Sequence, residues 1–557
     1  MFRRSDRTLS LWRFEMGELM KLRYVVIGIP FLGLALLVSA DDEQSKWQKQ
    51  IGREVSIAEH MRDDDEFRTP LLELISYGKR LFCANWTEQE GGGRPLAKGT
   101  GKPLSNPRKP LTGVRSFNRV SGPDANSCAG CHNAPFGIPG GGGDFATNVF
   151  VLGQRFDFLT FDPQDRVPTA GALDEQGDPV TLQSVANLRS TPGLFGAGYL
   201  EMAARQITND LQKIRDSLTP GESRPLVSKG ISFGRIGRRA DGLWDTSHVD
   251  GLPRSSIISN GTQDPPNLVV RPWHQAGNAA SLREFTNTSF NQHHGIQSTE
   301  RFGANTDPDG DGFSNELTRA DVTAATIYQA ALPVPGRVIP NDPAVERAVL
   351  LGEKAFARIG CANCHIPALP LDKEGWMFSE PSPYNPPGNL RLGETKTLRF
   401  DLNNPALPQP RLGVSKDGIV YVPAFTDFKL HDICDPGDEA EPLDMNETTW
   451  SDKFKAGNRR FLTRRLWGVA NQPPYFHHGL FTTMRQAVLA HGGEAAPVRA
   501  AFVALTAEEQ DGLIEFLKTL QVLPPGIKDL IVDENFHKKE WPSAGLSATS
   551  SSLLRAK

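Results

Sequence analysis

Apolar residues recur at helical spacing in only a few parts of this chain, and long tracts without any period separate them. Residues 71–82 (LLELISYGKRLF) and 344–359 (AVERAVLLGEKAFARI) each predict an amphipathic helix, the second running straight into Gly360. A short helix is expected over 484–490. Thr506, with Glu509 three residues on, forms a capping box that opens a last helix ending near Leu520. Residues 91–126 and 370–423 are rich in Gly and Pro and show little helical period, which predicts ordered loops. The expected fold is mainly α with extensive loops.

The amino terminus follows a different pattern. Lys21 and Arg23 precede an apolar run over 24–37, and Val38-Ser39-Ala40 then offers the small residues a signal peptidase reads. Residues 1–40 are therefore expected to be an export signal, with Met16 and Met20 as alternative starts. An uncleaved anchor is the rival reading, weakened by Gly28, Pro30 and Gly33 within the run. About 515 residues remain beyond the signal, enough for two or three domains, and none of their apolar runs is long enough to span a membrane. The net charge of −4 provides no basic stripe for nucleic acid and no polybasic lipid patch.

Two short motifs carry the chemistry. Cys128-Ala129-Gly130-Cys131-His132 and Cys361-Ala362-Asn363-Cys364-His365 are both C-x-x-C-H. Two thiols at this spacing can add to both vinyl groups of one porphyrin, and the adjoining histidine is then held beneath the iron. A zinc knuckle would need four ligands, and a redox dithiol leaves the histidines unexplained. The motifs thus predict two covalently bound haem c groups, with His132 and His365 as proximal ligands. Covalent haem attachment outside the bacterial cytoplasm agrees with an export signal and a periplasmic location. The expected organisation is two cytochrome c-like haem domains, 41–340 and 341–525, followed by a peripheral tail, 526–557. The first domain is enlarged by insertions, since a loop of roughly forty residues separates its entry helix from Cys128. The run Gly140 to Gly143 is read as a flexible loop rather than as backbone packed against porphyrin. Cys83 and Cys434 are left over, as a disulfide or as free structural thiols.

A faint internal duplication lays 189–201 over 465–477 without a gap, placing Glu201 where His477 sits. One half would then present a carboxylate where the other presents an imidazole, as two haems with unlike tasks require.

The stretches FNRVSGPDANSCAGCHNAPFG (117–137), HQAGNAASLREFTNTSFNQHHGIQSTERFG (274–303), DPDGDGFSNELT (307–318), FTDFKLHDIC (425–434) and PPYFHHGLFTTMRQAVLAHGGEA (473–495) resemble the bacterial di-haem oxidoreductases. That family of peroxidases and thiol oxidoreductases is similar to di-haem cytochrome c peroxidases and to the related tryptophan-modifying enzymes. The resemblance spans most of residues 70–525. It implies two c-type haems in adjacent cytochrome-like domains, one receiving electrons and the other reacting with peroxide.

Axial ligands decide which iron does which. For the second haem the candidate is His491, at the end of the 484–490 helix; the peroxidases supply a methionine there, and a histidine suggests a lower potential. His477 and His478 are second choices, and Met484 reads as core. For the first haem the candidates for a distal ligand or acid/base are His274, His293 and His294. Glu201 is the candidate peroxidatic carboxylate, and Arg189 the group that stabilises developing negative charge. Asp307, Asp309, Asp311 and Asn315 stand at calcium-loop spacing around Gly312, although Thr318 occupies the twelfth position; a metal-free Asp-rich turn is the alternative. The expectation is reduction of hydrogen peroxide, with electrons entering at the haem of His365 and passing to that of His132. A small electron-donor protein, a cytochrome or a cupredoxin, is the expected partner. The alternatives are an electron carrier with both irons six-coordinate, or an oxidase of a partner protein's side chains.

Overall fold

Helix α1 (Leu71–Cys83) turns Leu74, Ile75, Gly78, Leu81 and Phe82 to one buried side, the i, i+3, i+4, i+7 spacing that its sequence shows. Its partner is α4 (Arg319–Ala330), opened by a capping box between Thr318 and Asp321 and buried along almost its whole circumference. The two meet where Gly78 lies against the backbone of Ala324; a Cβ on that glycine would come within 2.0 Å of the Ala324 carbonyl oxygen. Between them in sequence come the 20-residue α2 (Ala197–Asp216) and α3 (Leu282–His294), which is capped by Ser281 and ended by Gly295 in the left-handed region.

A second crossing repeats the first. Helix α5 (Pro343–Arg358) has Asp342 as its N-cap, accepting from the amides of Ala344 and Val345, and it packs on α7 (Ala507–Thr519). The contact is again a glycine: a Cβ on Gly352 would stand 1.9 Å from the Gly512 carbonyl oxygen. The short α6 (Met484–Leu489) lies between. The Thr506–Glu509 capping box is present as the sequence predicts. Beneath this crossing Phe356, Phe425 and Phe516 form an aromatic cluster with ring centres 5.3 to 6.1 Å apart. Each buried phenylalanine there contributes about 2 kcal/mol of transfer free energy.

The computed structural model describes residues 48, 50–92, 127–148, 187–308, 311–435 and 459–543. The chain divides into one unit ending at Arg53 and another from Glu54 onward, and every element named here belongs to the latter. The expected export signal over 1–40 lies outside the described residues.

The mainly α expectation is corrected by the structure, which is 33% helical and 15% strand with several small sheets. Ser223–Ser228, Ile231–Arg238 and Trp244–Asp245 make an antiparallel meander within the enlarged first half. The tract 370–423, read as loop, pairs Leu369–Leu371 with Val420–Val422 and Met377–Glu380 with Leu398–Asp401. Such strands are three or four residues long, so the period of two appears hardly more than once before the strand ends. The stretch read as a peripheral tail is joined to the second crossing: Ile531–Val532 pairs in parallel with Gly336–Val338, Lys539 Nζ lies 2.6 Å from Glu346, and Trp541 Nε1 donates to Glu353 at 3.0 Å. No described helix is long and apolar enough to cross a membrane.

Candidate functional site

The first C-x-x-C-H motif forms one helical turn, Cys128–Cys131, started by Ser127, whose side chain accepts from the Gly130 amide. The glycine run after it is packed against the motif rather than flexible: a Cβ on Gly143 would stand 1.8 Å from the Cys131 carbonyl oxygen. The run also fixes the histidine. His132 Nδ1 donates to the Gly141 carbonyl at 3.0 Å, which leaves Nε2 with its lone pair. Burial pushes the His132 imidazole down to about 4, so the ring is neutral. Cys128, Cys131 and His132 line a cavity with about 1400 Å³ of empty space, open solvent at its mouth included. His274, His293 and His294 line the same cavity, with Trp273, Phe285 and Phe290. His294, at the carboxy end of α3, is 2% exposed and has Nε2 3.6 Å from Cys128 Sγ.

The second motif is built alike. His365 Nδ1 donates to the Phe425 carbonyl at 3.1 Å, so the residue that packs in the aromatic cluster also fixes the tautomer. Burial lowers His365 to about 4. The corresponding cavity holds about 1690 Å³ of empty space, again counted with open solvent. Across it His491, just beyond α6, donates from Nδ1 to the Ala487 carbonyl at 2.7 Å and keeps its own Nε2 lone pair. The His365 and His491 ring centres are 6.4 Å apart. Two metal–nitrogen bonds of about 2 Å plus the ring radii span roughly 6 Å, so the pair fits one ion held from both sides. His478 does not fit that role, because its Nδ1 accepts from the Leu480 amide at 3.0 Å and its Nε2 therefore carries the proton. His477 stacks on Phe461 at 3.8 Å, and Met484 packs among the partly buried residues around the aromatic cluster.

Zinc or dithiol chemistry suits these thiols poorly. Redox dithiol chemistry needs a thiolate, whereas burial raises the Cys128 and Cys361 thiols, and a zinc knuckle needs four ligands at one place. A cluster of possible donors among the described residues, Cys364, Asp427 and His431, is unsuited to a free metal. Burial would lower His431, but its bonds to Asp427 and Glu494 outweigh this and raise it to about 11, so both ring nitrogens carry protons. Neutral imidazoles on the cavity walls, each beside a pair of thiols, fit haem c in both places.

The two cavities adjoin. Gln275, Leu462, Thr463 and Arg464 line both of them. This wall is held by backbone pairing of Leu430–Asp432 with Arg460–Leu462, by the Leu462 amide on the Gln275 carbonyl at 2.8 Å, and by Thr426 Oγ1 on the Thr463 carbonyl at 2.7 Å.

Other expected residues lie elsewhere. Glu201 is buried on α2 and does not line the cavity; one carboxylate oxygen receives Arg205 at 2.5 and 3.0 Å, the other the Leu282 amide at 2.7 Å. The 189–201 and 465–477 stretches differ locally, since the first enters a long helix and the second is a turn followed by irregular chain. They touch instead, the Ser190 amide donating to the His477 carbonyl at 2.9 Å. Arg189 is in the strand Asn187–Thr191, and its side chain lies outside the described residues. In the acidic loop Asp307 accepts from the Asp311 and Gly312 amides, Asp311 from the Phe313 amide, and Asn315 pairs with Asn305; Asp309 lies outside the described residues. Cys83 and Cys434 are not joined to each other: Cys83 lies beside the first motif, and Cys434 Sγ donates to the Arg459 carbonyl. Arg464 and Arg465 line the first cavity; in the sequence Arg465 figures only as the first residue of the 465–477 stretch, and neither carries a motif that gives it a role.

Residues 409–520 match the family model described as "Di-haem oxidoreductase, putative peroxidase". That span includes Phe425, His491 and three of the four shared wall residues, Leu462, Thr463 and Arg464, but not Gln275. No curated protein matches the chain. Among solved structures, the chain is similar to hydrazine synthase of Kuenenia stuttgartiensis, with 17% identity, 52% of this chain and 78% of that chain covered, and a TM-score of 0.23. So low a score carries no argument about this chain's fold or activity.

Proposed function

We propose, on the premise that this is a di-haem oxidoreductase by its match over residues 409–520, that the chain is exported to the periplasm, holds two covalent haem c groups and reduces hydrogen peroxide. The observation that carries the reading is the unlikeness of the two cavities. His365 and His491 face one another across the second site with ring centres 6.4 Å apart, while in the first cavity His294 stands beside the Cys128 thiol, 3.6 Å from its sulfur, and His274 and His293 line the wall. A haem c supplies a one-electron iron couple and, where one axial position stays open, a place for peroxide. The second site is thus the electron entry and the first the place of reaction, with a small cytochrome or cupredoxin as donor.

Two electrons and two protons convert each peroxide to two waters, and the chain must move the protons. His294, buried and held at the cavity wall, is assigned that transfer, from the near oxygen of peroxide to the leaving one. Glu201 was the expected group, but both of its oxygens are committed to Arg205 and the Leu282 amide. Arg189 keeps its assignment as charge stabiliser on sequence grounds alone. Calcium at Asp307, Asp309, Asp311 and Asn315 belongs to the same proposal, supported by their spacing.

The test is the optical and EPR spectrum of the holoprotein, oxidised and half-reduced, with and without peroxide. One high-spin iron that responds to peroxide, with His294→Gln slowing turnover, is the expected result. Two low-spin irons indifferent to peroxide in both redox states would overturn the enzyme reading and leave an electron carrier.

A further inference from the structure

Arg464 and Arg465 are adjacent in sequence and both line the cavity of the first motif, and Arg464 also lines that of the second. Arg464 Nη1 donates to Ser190 Oγ at 3.0 Å, and Arg465 Nη2 to the Gly193 carbonyl. Among the described residues neither forms an ion pair. Both residues are half-buried in the cavity wall. Two adjacent guanidiniums on one wall, unpaired with any acid among the described residues, repel each other, a cost that an anion placed against them relieves. The Arg464 backbone lies at His365, and the Arg465 charge acts on His132, so this dipeptide reaches both proximal histidines.

We infer that Arg464 and Arg465 bind the carboxylates of the two porphyrins, Arg464 serving both and Arg465 the first alone. The inference rests on the di-haem reading above and deepens it. A guanidinium presents parallel N–H donors that match a carboxylate, and each haem c carries two propionates. A porphyrin tied to Cys128 and Cys131 lies over His132, in the cavity that the Arg465 side chain lines; one tied to Cys361 and Cys364 shares the wall that carries Arg464. A fixed positive charge beside an iron favours the reduced state, so a residue common to both sites raises both potentials together.

The experiment compares full-length holoprotein with its Arg464→Gln, Arg465→Gln and Arg464→Lys variants. Haem content is read as the pyridine haemochrome, the propionate bending bands by resonance Raman, and both midpoint potentials by redox titration. Arg465→Gln is expected to move the propionate band and lower the potential of one haem, and Arg464→Gln those of both. Arg464→Lys keeps the charge and covers a failure of the glutamine variant to load haem; its bands move because the fork is lost, while its potentials fall less. Propionate bands unmoved in the loaded variants would overturn the inference. A wild-type protein without haem would sink the di-haem reading itself, which separates the two failures.

Discussion

An imidazole binds a metal through whichever ring nitrogen keeps its lone pair, and in this chain backbone carbonyls make that choice. Gly141, Phe425 and Ala487 each take an Nδ1 proton, and thereby turn Nε2 of His132, His365 and His491 toward a cavity. His478, with Nδ1 already accepting, is excluded by the same reasoning. His491→Ala is expected to keep both covalent haems and to convert one low-spin EPR signal to high spin; an unchanged spectrum would remove His491 from the iron. Much at this scale was legible in the sequence, because C-x-x-C-H puts its chemistry within five neighbouring residues. What was not legible depended on distant chain. Glu201 faces Arg205 and α3 only because α2 rotates it there, and Arg464 reaches two cavities because it follows the strand Arg460–Leu462 that Leu430–Asp432 holds in place.

Among the elements, the two helix crossings share one device, a glycine that lets backbones touch. Gly352→Ala places a methyl group against the Gly512 carbonyl oxygen and is expected to cost about 1–3 kcal/mol. Gly413→Ala, where a Cβ meets nothing within 4 Å, is the control and should leave the melting temperature unchanged. Equal melting temperatures in the two variants would mean that the α5–α7 contact yields easily. Three of the four helices of these crossings announce themselves in sequence, α1 and α5 by their apolar spacing and α7 by its capping box, whereas α4, buried nearly all round, has no stripe by which to read it. The sheets do not, for a strand such as Leu369–Leu371 has no room to alternate, and its partner Val420–Val422 lies some fifty residues away.

Across the whole molecule, a buried ionic network ties the enlarged first half to the tract 370–423. Arg283, fully buried on α3, binds Glu300 at 2.7 Å and Glu380 at 3.2 Å, while Arg205 on α2 holds Glu201 and approaches Glu380 at 3.9 Å. Burial, against the pull of Arg283, raises Glu380 to about 7. Arg283→Met strands two carboxylates in the interior and is expected to cost about 3–5 kcal/mol in denaturant unfolding. Adding Glu380→Gln should recover part of that loss, and a double variant no more stable than the single one would count against the network. Nothing in local pattern betrays such a network, because its members come from four separate stretches of chain. The sequence-level separation at 340/341 also passes over the wall that both cavities share.

The paired glycine crossings have a further consequence, for how freely such a chain can grow. Each crossing fastens the two ends of a unit, so the intervening chain can lengthen while the joint stays shut. The second unit stays short. The first stretches from Gly78 to Ala324 and accommodates a twenty-residue helix and a three-stranded meander. Foreign sequence should be admitted by the same rule: the turn at Asp241 and Gly242, where a Cβ on the glycine meets nothing nearby, is a place to graft a tether or a partner protein while His132 and His365 keep their settings.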